Sequence, residues 1–279
     1  GQTEAPLMIR PYIATMTRSQ VMAVMVGGFA TIAGSVLAAY VTLLGDSSPE
    51  SRILFAKHLM TASVMSAPAG LVMAKIMVPE TEEPPPETLT SLLAGERTTR
   101  NVVDAAAEGA TDGLKLALNV AAMLVAFVAL IAMLNWPLAA LSEVGFVAQW
   151  REANGVPVLT MQVILGYILT PLAWCMGVPW EDCRVFGSLQ GQQVIATEFV
   201  AYLDLAGHVR NGTISPRAAQ IAAYALCGFA NLPSIAIQIG GLSAIAPGRR
   251  SDFATLGLRA MVAGALACWT TACVAGVFI

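Results

Sequence analysis

The sequence predicts an all-α membrane protein with inverted repeats and two re-entrant helical hairpins. Three observations carry that expectation: a deficit of charge, a set of uncharged runs long enough to cross a bilayer, and a short self-match whose two copies run in opposite directions. The chain of 279 residues holds 15 Lys+Arg and 18 Asp+Glu, 12% of the total, about half of the ~25% usual in a soluble domain. Hydrophobic residues make up 56% and the mean hydropathy is +0.68. A soluble fold would have to hide more apolar surface than its interior can hold, which excludes a water-soluble enzyme and a disordered chain. The net charge of -3 offers no basic patch, so nucleic acid is excluded as a partner. Two histidines, His58 and His208, and five cysteines without a CxxC pair argue against a metal centre or a disulfide framework. The cysteines read as buried thiols.

A bilayer core needs about 20 apolar residues per helix. Six runs qualify: 21–44, 53–78, 114–141, 156–180, 218–248 and 259–279. Two further segments, 1–14 and 187–206, are too short or too polar for ordinary spans, yet each sets a glutamate, Glu4 or Glu198, among apolar neighbours. They read as half-helices or re-entrant arms. The run 156–180 is interrupted by Pro157, Gly166, Pro171, Gly177 and Pro179, so a hairpin that turns back part way, joining 156–180 to the Glu198 segment, fits better than two clean spans.

Between the second and third spans, Glu80-Thr-Glu-Glu-Pro-Pro-Pro-Glu87 cannot continue a helix and reads as a solvated linker. Beyond it Arg100, Asp104, Glu108 and Asp112 recur every four residues, opposite Val102, Val103, Ala106 and Ala110. That period predicts a surface helix whose apolar underside rests on the bundle or the membrane interface. The chain divides accordingly into 1–79, a hairpin arm plus two spans; 80–113, linker and surface helix; 114–155, a long scaffold helix and outer connection; and 156–279, the second hairpin plus two spans. Trp136, Trp150 and Trp180 are expected as interface anchors, and Arg249-Arg250 marks the inner side.

The self-match pairs Gln2-Thr-Glu-Ala5, followed by Gly28-Phe-Ala-Thr-Ile32, with Ala196-Thr-Glu-Phe199, followed by Gly228-Phe-Ala-Asn-Leu232. An odd number of crossings separates the two Gly-Phe-Ala strings, so the copies point in opposite directions. Inverted repeats that each carry a polar residue in an interrupted helix are a pattern of secondary transporters. Half-helix ends leave unpaired N–H and C=O groups, tolerated in a bilayer only where solute, ion or water satisfies them. Gln2, Glu4, Thr31, Glu198, Asn231 and Ser234 are then convergent donors and acceptors suited to a neutral, hydroxyl-rich solute or an alkali cation. Asn231 and Ser234 also suit bonding between neighbouring helices, and Thr31 suits back-bonding to its own helix.

With these residues in place, Gly1-Gln-Thr-Glu-Ala-Pro-Leu7, Gly27-Gly-Phe-Ala-Thr-Ile-Ala-Gly-Ser35, Thr61-Ala-Ser-Val-Met-Ser-Ala-Pro68, Glu198-Phe-Val-Ala-Tyr202 and Tyr224-Ala-Leu-Cys-Gly-Phe-Ala-Asn231 resemble the concentrative nucleoside transporters from end to end. The resemblance implies a homotrimer in the plasma membrane, each protomer with a scaffold and a mobile transport domain, moving nucleosides inward by an elevator-like cycle coupled to Na+, with H+ as the alternative ion. It implies that Gln2, Thr3 and Glu4 contact the nucleobase, that Glu198, Asn231 and Ser234 contact the ribose, and that Val36 and Phe229 pack against the nucleoside. It places a sodium site at the Thr31 hydroxyl and the Ile32 carbonyl. It also implies that the chain is the C-terminal portion of a longer protein. Two departures stand out: Thr197 where the family usually has Asn, and Pro233 before Ser234. An importer of nucleobases or another small polar solute is the alternative reading; an intramembrane enzyme using Glu4 and Glu198 as acid and base lacks any accompanying nucleophile or metal-ligand set.

Overall fold

The computed structural model describes residues 2–3, 5–45, 48–83 and 101–279. Among these the chain is helical throughout, with a short 3-10 turn over Ala5–Ile9 followed by α1 (Arg10–Ile13), α2 (Arg18–Ala30), α3 (Gly34–Leu44) and α4 (Pro49–Met77). Most of the expected linker lies outside the described residues; beyond residue 100 come α5 (Val102–Ser142), α6 (Gly145–Ala153), α7 (Met161–Cys175), α8 (Cys183–Ile195), α9 (Glu198–Arg210), α10 (Pro216–Ala225), α11 (Leu232–Ile245) and α12 (Arg250–Phe278).

Among the described residues three stretches are helical, long and apolar enough to cross a membrane: Pro49–Met77, Val125–Ser142 and Pro247–Phe278. The runs 21–44 and 218–248, expected as spans, are each broken in two. The first stops at Ala30, where Thr31 turns extended (φ -112°, ψ 160°); the second opens at Leu226 and resumes at Leu232, with Asn231 extended (φ -136°, ψ 161°) as its N-cap. The cause in the second copy is local. Asn231 Oδ1 accepts from the Ser234 amide at 2.8 Å, which starts a new helix in place of continuing the old one. Pro233 in the first turn lacks the N–H that position would leave unused.

The two broken helices meet at their breaks. A Cβ on Gly228 would stand 2.6 Å from the Phe29 carbonyl oxygen and 3.2 Å from that of Ala30, so only glycine allows this approach. On one side of the breaks Gln238 of α11 donates to the Met25 carbonyl of α2 at 3.0 Å. Arg249, just past α11, reaches the Ile13, Ala14 and Met16 carbonyls just before α2. Thus α2 runs toward its break where α11 runs away from its own, and the repeats are inverted. The C-terminal helix α12 packs against α2, α4, α10 and α11, and its Gly264 sits against the Phe29 backbone.

The turn-back segment differs from the expected pairing of 156–180 with the Glu198 segment. Its arms are α8 and α9, joined at Ala196–Thr197. Asp182 at the foot of α8 accepts from the Ser215 amide beyond α9 at 3.3 Å, and Gln192 reaches across to Asp204 at 2.9 Å. Each arm has 13 residues, about 20 Å of helix against the ~30 Å of a bilayer core. The run 156–180 contributes α7 alone, packed along α8 through Gly166, Gly187 and Gly191, where any Cβ would strike the opposing backbone.

The surface helix and the scaffold span also turn out to be one. The helix α5 runs 41 residues without interruption, about 61 Å, capped by Asn101 Oδ1 on the Asp104 amide at 2.9 Å. No breaker stands between its charged N-terminal part and its apolar part, since Gly109 and Gly113 weaken a helix without stopping it. Val102 and Val103, on the face expected to rest on the bundle or the membrane interface, are exposed and so do not pack on the bundle. Trp136, Trp150 and Trp180 are exposed. All five cysteines are free; Cys183, Cys227 and Cys268 are buried, whereas Cys175 is exposed, at the last residue of α7. Large apolar side chains such as Val64, Ile76, Val125 and Met133 lie open along α4 and α5, an arrangement that suits lipid and not water.

Candidate functional site

The sequence pattern that breaks the helices also gathers their polar residues. Glu198 begins α9 at the tip of the turn-back, 6% exposed, with Thr197 as N-cap through its hydroxyl on the Val200 amide. Threonine at this departure therefore still supplies the cap that asparagine would. The carboxylate is held from two sides. Asn231 Nδ2 donates to Oε2 at 2.7 Å, and the Tyr40 hydroxyl donates to Oε1 at 3.2 Å. Tyr40 is itself fully buried and stacked on Tyr202 with ring centroids 4.0 Å apart. A buried charge needs such partners, because isolated it would carry several kcal/mol of desolvation.

From the other side of the site Gln2 Nε2 donates to Ser234 Oγ at 3.2 Å. Asn231, Ser234 and Gln2 are each buried. The two ends of the chain's repeat thus converge: Gln2 from the first copy, Glu198, Asn231 and Ser234 from the second. Phe229 and Val36 are half-buried at the edge of the apolar cluster that contains Tyr40 and Tyr202. Thr3 is buried. Glu4, the expected counterpart of Glu198, lies outside the described residues.

Thr31 donates to the Gly27 carbonyl at 2.7 Å, the back-bond open to any helix-terminal threonine. Its oxygen lone pairs remain free to accept. Ile32 is buried in the non-helical stretch between α2 and α3. Among the described residues no group of three or more His, Cys, Asp or Glu side chains is placed to hold a metal ion.

Three contributors escape a reading of sequence alone. Tyr40 stands in an apolar run with no motif around it. Gln193 on α8 donates through Nε2 to the Leu226 and Gly228 carbonyls at 3.2 Å each, filling the acceptors that the break in the second repeat exposes. Cys268 does the same from α12, its Sγ 3.2 Å from the Cys227 carbonyl and 3.6 Å from that of Ala30. The signal for Gln193 is a polar residue in an otherwise buried arm.

The family model described as "Na+ dependent nucleoside transporter C-terminus" matches residues 58–276, more than three-quarters of the chain. Solute carrier family 28 member 3 of Eptatretus stoutii is 43% identical over 290 residues, covering 99% of this chain and 40% of that protein. The uncharacterized transporter YutK of Bacillus subtilis (strain 168) is 44% identical over 279 residues, covering 100% of this chain and 64% of that one. Sodium/nucleoside cotransporter 1 of Mus musculus is 42% identical, with 42% of its length covered. Among solved structures, CNTnw in an inward-facing substrate-bound state aligns with a TM-score of 0.75 at 45% identity over the whole of this chain and 61% of that one. A variant of CNTnw in an outward-facing state aligns at 0.81. The chain thus spans between about two-fifths and two-thirds of the relatives it matches.

Proposed function

The chain belongs to the family of Na+ dependent nucleoside transporters, and from that premise we propose that it forms the substrate-binding portion of a nucleoside importer coupled to a cation, Na+ foremost. The family is one of transporters, not enzymes. The observation that carries the reading is the Glu198 carboxylate, buried and held by Asn231 and Tyr40 where the turn-back tip meets both broken helices. A carboxylate and an amide can accept from and donate to ribose hydroxyls, while Gln2, with Thr3 and Glu4, reads the base edge. Ser234 joins the ribose end, and Phe229 and Val36 cover the apolar faces of the bound nucleoside. Na+ takes the Thr31 hydroxyl and the Ile32 carbonyl, helped by groups of the longer protein.

Ion and nucleoside then favour the same occluded state, so binding of one raises affinity for the other. The gradient drives uptake through an elevator-like displacement of the domain that carries both broken helices, against a scaffold that includes α5. The working unit is a homotrimer in the plasma membrane. Uptake of uridine or adenosine by proteoliposomes carrying the full-length protein, with and without a sodium gradient, tests this. Nucleoside accumulation that requires the gradient is the expected result. Transport of free bases with no ribose dependence shifts the substrate to nucleobases, and absence of uptake for every nucleoside overturns the reading.

A further inference from the structure

On α11 the polar residues Asn231, Ser234 and Gln238 recur at intervals of three and four, so they share one helix face. Gln238 extends the site by one turn beyond the residues considered so far. It is 1% exposed. Its Nε2 donates to the Met25 carbonyl at 3.0 Å. A backbone carbonyl only accepts, so the amide has a single orientation and Oε1 is fixed as an acceptor. That oxygen is buried and finds no partner among the described residues, and the same holds for Oε1 of Gln2.

The Gln238 amide and the Cα–Cβ stem of Gln2 come together over Gly28. A Cβ built there would stand 2.4 Å from Gln238 Nε2 and 3.2 Å from Gln2 Cβ. Glycine is the clearance that lets Gln238 lie beside Gln2. A buried acceptor left unmade carries its full desolvation penalty, so Gln238 Oε1, on a residue that lies next to another with an unmade acceptor, marks a place built to receive a donor. Resting on the nucleoside-binding reading above, we propose that Gln238 is a specificity-determining residue at the base end of the site. Its Oε1 receives an N–H from the base edge, directly or through one ordered water. A base that carries an amino group there satisfies the acceptor, and one without it leaves the acceptor stranded. Discrimination of this kind follows from unpaired polar groups in the site and needs no steric clash.

The test uses the full-length protein and matched nucleosides that differ by one amino group, adenosine against purine riboside and cytidine against its 4-deamino analogue. Affinity is read from nucleoside-induced shifts in melting temperature. Wild type is expected to prefer the amino member of each pair about tenfold, the factor for one such bond. Gln238→Leu and Gln238→Met reduce the preference to within about twofold, while the preference for ribosides over free bases persists. Should both variants fail to fold, Gly28→Ala displaces the amide without removing it and reduces the same ratio. A preference retained in these variants, or absent from wild type, overturns the role of Gln238 alone. No response of wild type to any nucleoside overturns the underlying function with it.

Discussion

Asn231 serves two masters through one amide: its Oδ1 accepts from the Ser234 backbone at 2.8 Å, and its Nδ2 donates to Glu198 Oε2 at 2.7 Å. Because the Ser234 amide only donates, the side chain cannot flip, and the orientation that caps α11 is the one that holds the carboxylate. Helix initiation and site assembly are therefore one event. A residue that broke the cap would also leave Glu198 with the Tyr40 hydroxyl alone of its two side-chain partners.

Replacement of Glu198 by Gln keeps the shape and removes the charge. The new amide can turn its oxygen to Asn231 and its NH2 to the Tyr40 oxygen, so the fold is expected to persist with little change in melting temperature. Hydrogen bonds to a charged group contribute about 1.5–3 kcal/mol against about 1 for neutral pairs. The variant is therefore expected to lose about 1–2 kcal/mol of nucleoside affinity, roughly 5- to 30-fold in the KM of uptake. An unchanged KM with an intact fold would remove Glu198 from the site.

Membrane residence, the inverted repeat and the polar residues at the breaks were legible in the sequence because each depends on local pattern: uncharged runs, the repeated Gly-Phe-Ala, and Glu198 amid apolar neighbours. The continuity of α5 was not legible. Charge periodicity over 100–112 and apolarity from 114 onward look like two elements, and only the want of a stop signal between them makes one helix. The arms of the turn-back were misplaced for a related reason. The breakers Pro157, Gly166, Pro171, Gly177 and Pro179 suggested that 156–180 is the arm that pairs with the Glu198 segment, yet Pro171 sits inside α7 and Gly166 serves its contact with α8. Tyr40, Gln193 and Cys268 stay hidden because their partners lie 158, 33 and 41 residues away, a distance no window of sequence spans.

Gly228 leaves no room for a side chain at the meeting of the two breaks. An alanine Cβ would fall 2.6 Å from both Cys268 Sγ and the Phe29 carbonyl oxygen. Overpacking of this sort typically costs about 1–3 kcal/mol, and Gly228→Ala is expected to lower thermal stability by that order. Cys268→Ala combined with it removes the sulfur but leaves the carbonyl, so the double variant recovers only part of the loss. Full recovery in melting experiments would show that the two breaks can move apart.

Outside the membrane segments, Glu80 ties the end of α4 to the start of α2. Thr17 Oγ1 donates to its Oε2 at 2.8 Å, and Lys75 Nζ lies 3.5 Å away. Partial desolvation pushes this carboxyl up, but the bonds from Thr17 and the Glu82 amide and the Lys75 ammonium outweigh it and hold it below its ordinary 4.5. A carboxylate lowered on folding stabilises the folded state above its unfolded value and loses that contribution as pH falls through the folded one. The difference in melting temperature between wild type and Glu80→Gln is expected to be present at pH 7 and to close as pH drops below 4.5. A difference that widens on acidification contradicts the assigned partners.

Arg249 closes the opposite face of the same joint. Its Nη1 donates to the carbonyls of Ile13, Ala14 and Met16 at 3.3, 3.2 and 2.6 Å, and its Nε pairs with Asp252 at 2.6 Å. The three carbonyls lie in the turn between α1 and α2, where no following helical N–H takes them, so the guanidinium supplies what the backbone lacks. The Asp252 pair is partly exposed and contributes at most about 0.5–1 kcal/mol, whereas loss of the carbonyl grip is expected to cost about 2 kcal/mol. Arg249→Ala should therefore destabilise more than Asp252→Asn, and it should speed tryptic cleavage after Arg18 as the turn loosens. Arg249→Lys keeps the charge without the fork and is expected to fall between the two. Equal effects of Arg249→Ala and Asp252→Asn on melting would assign the contribution to the ion pair and leave the turn held by other contacts.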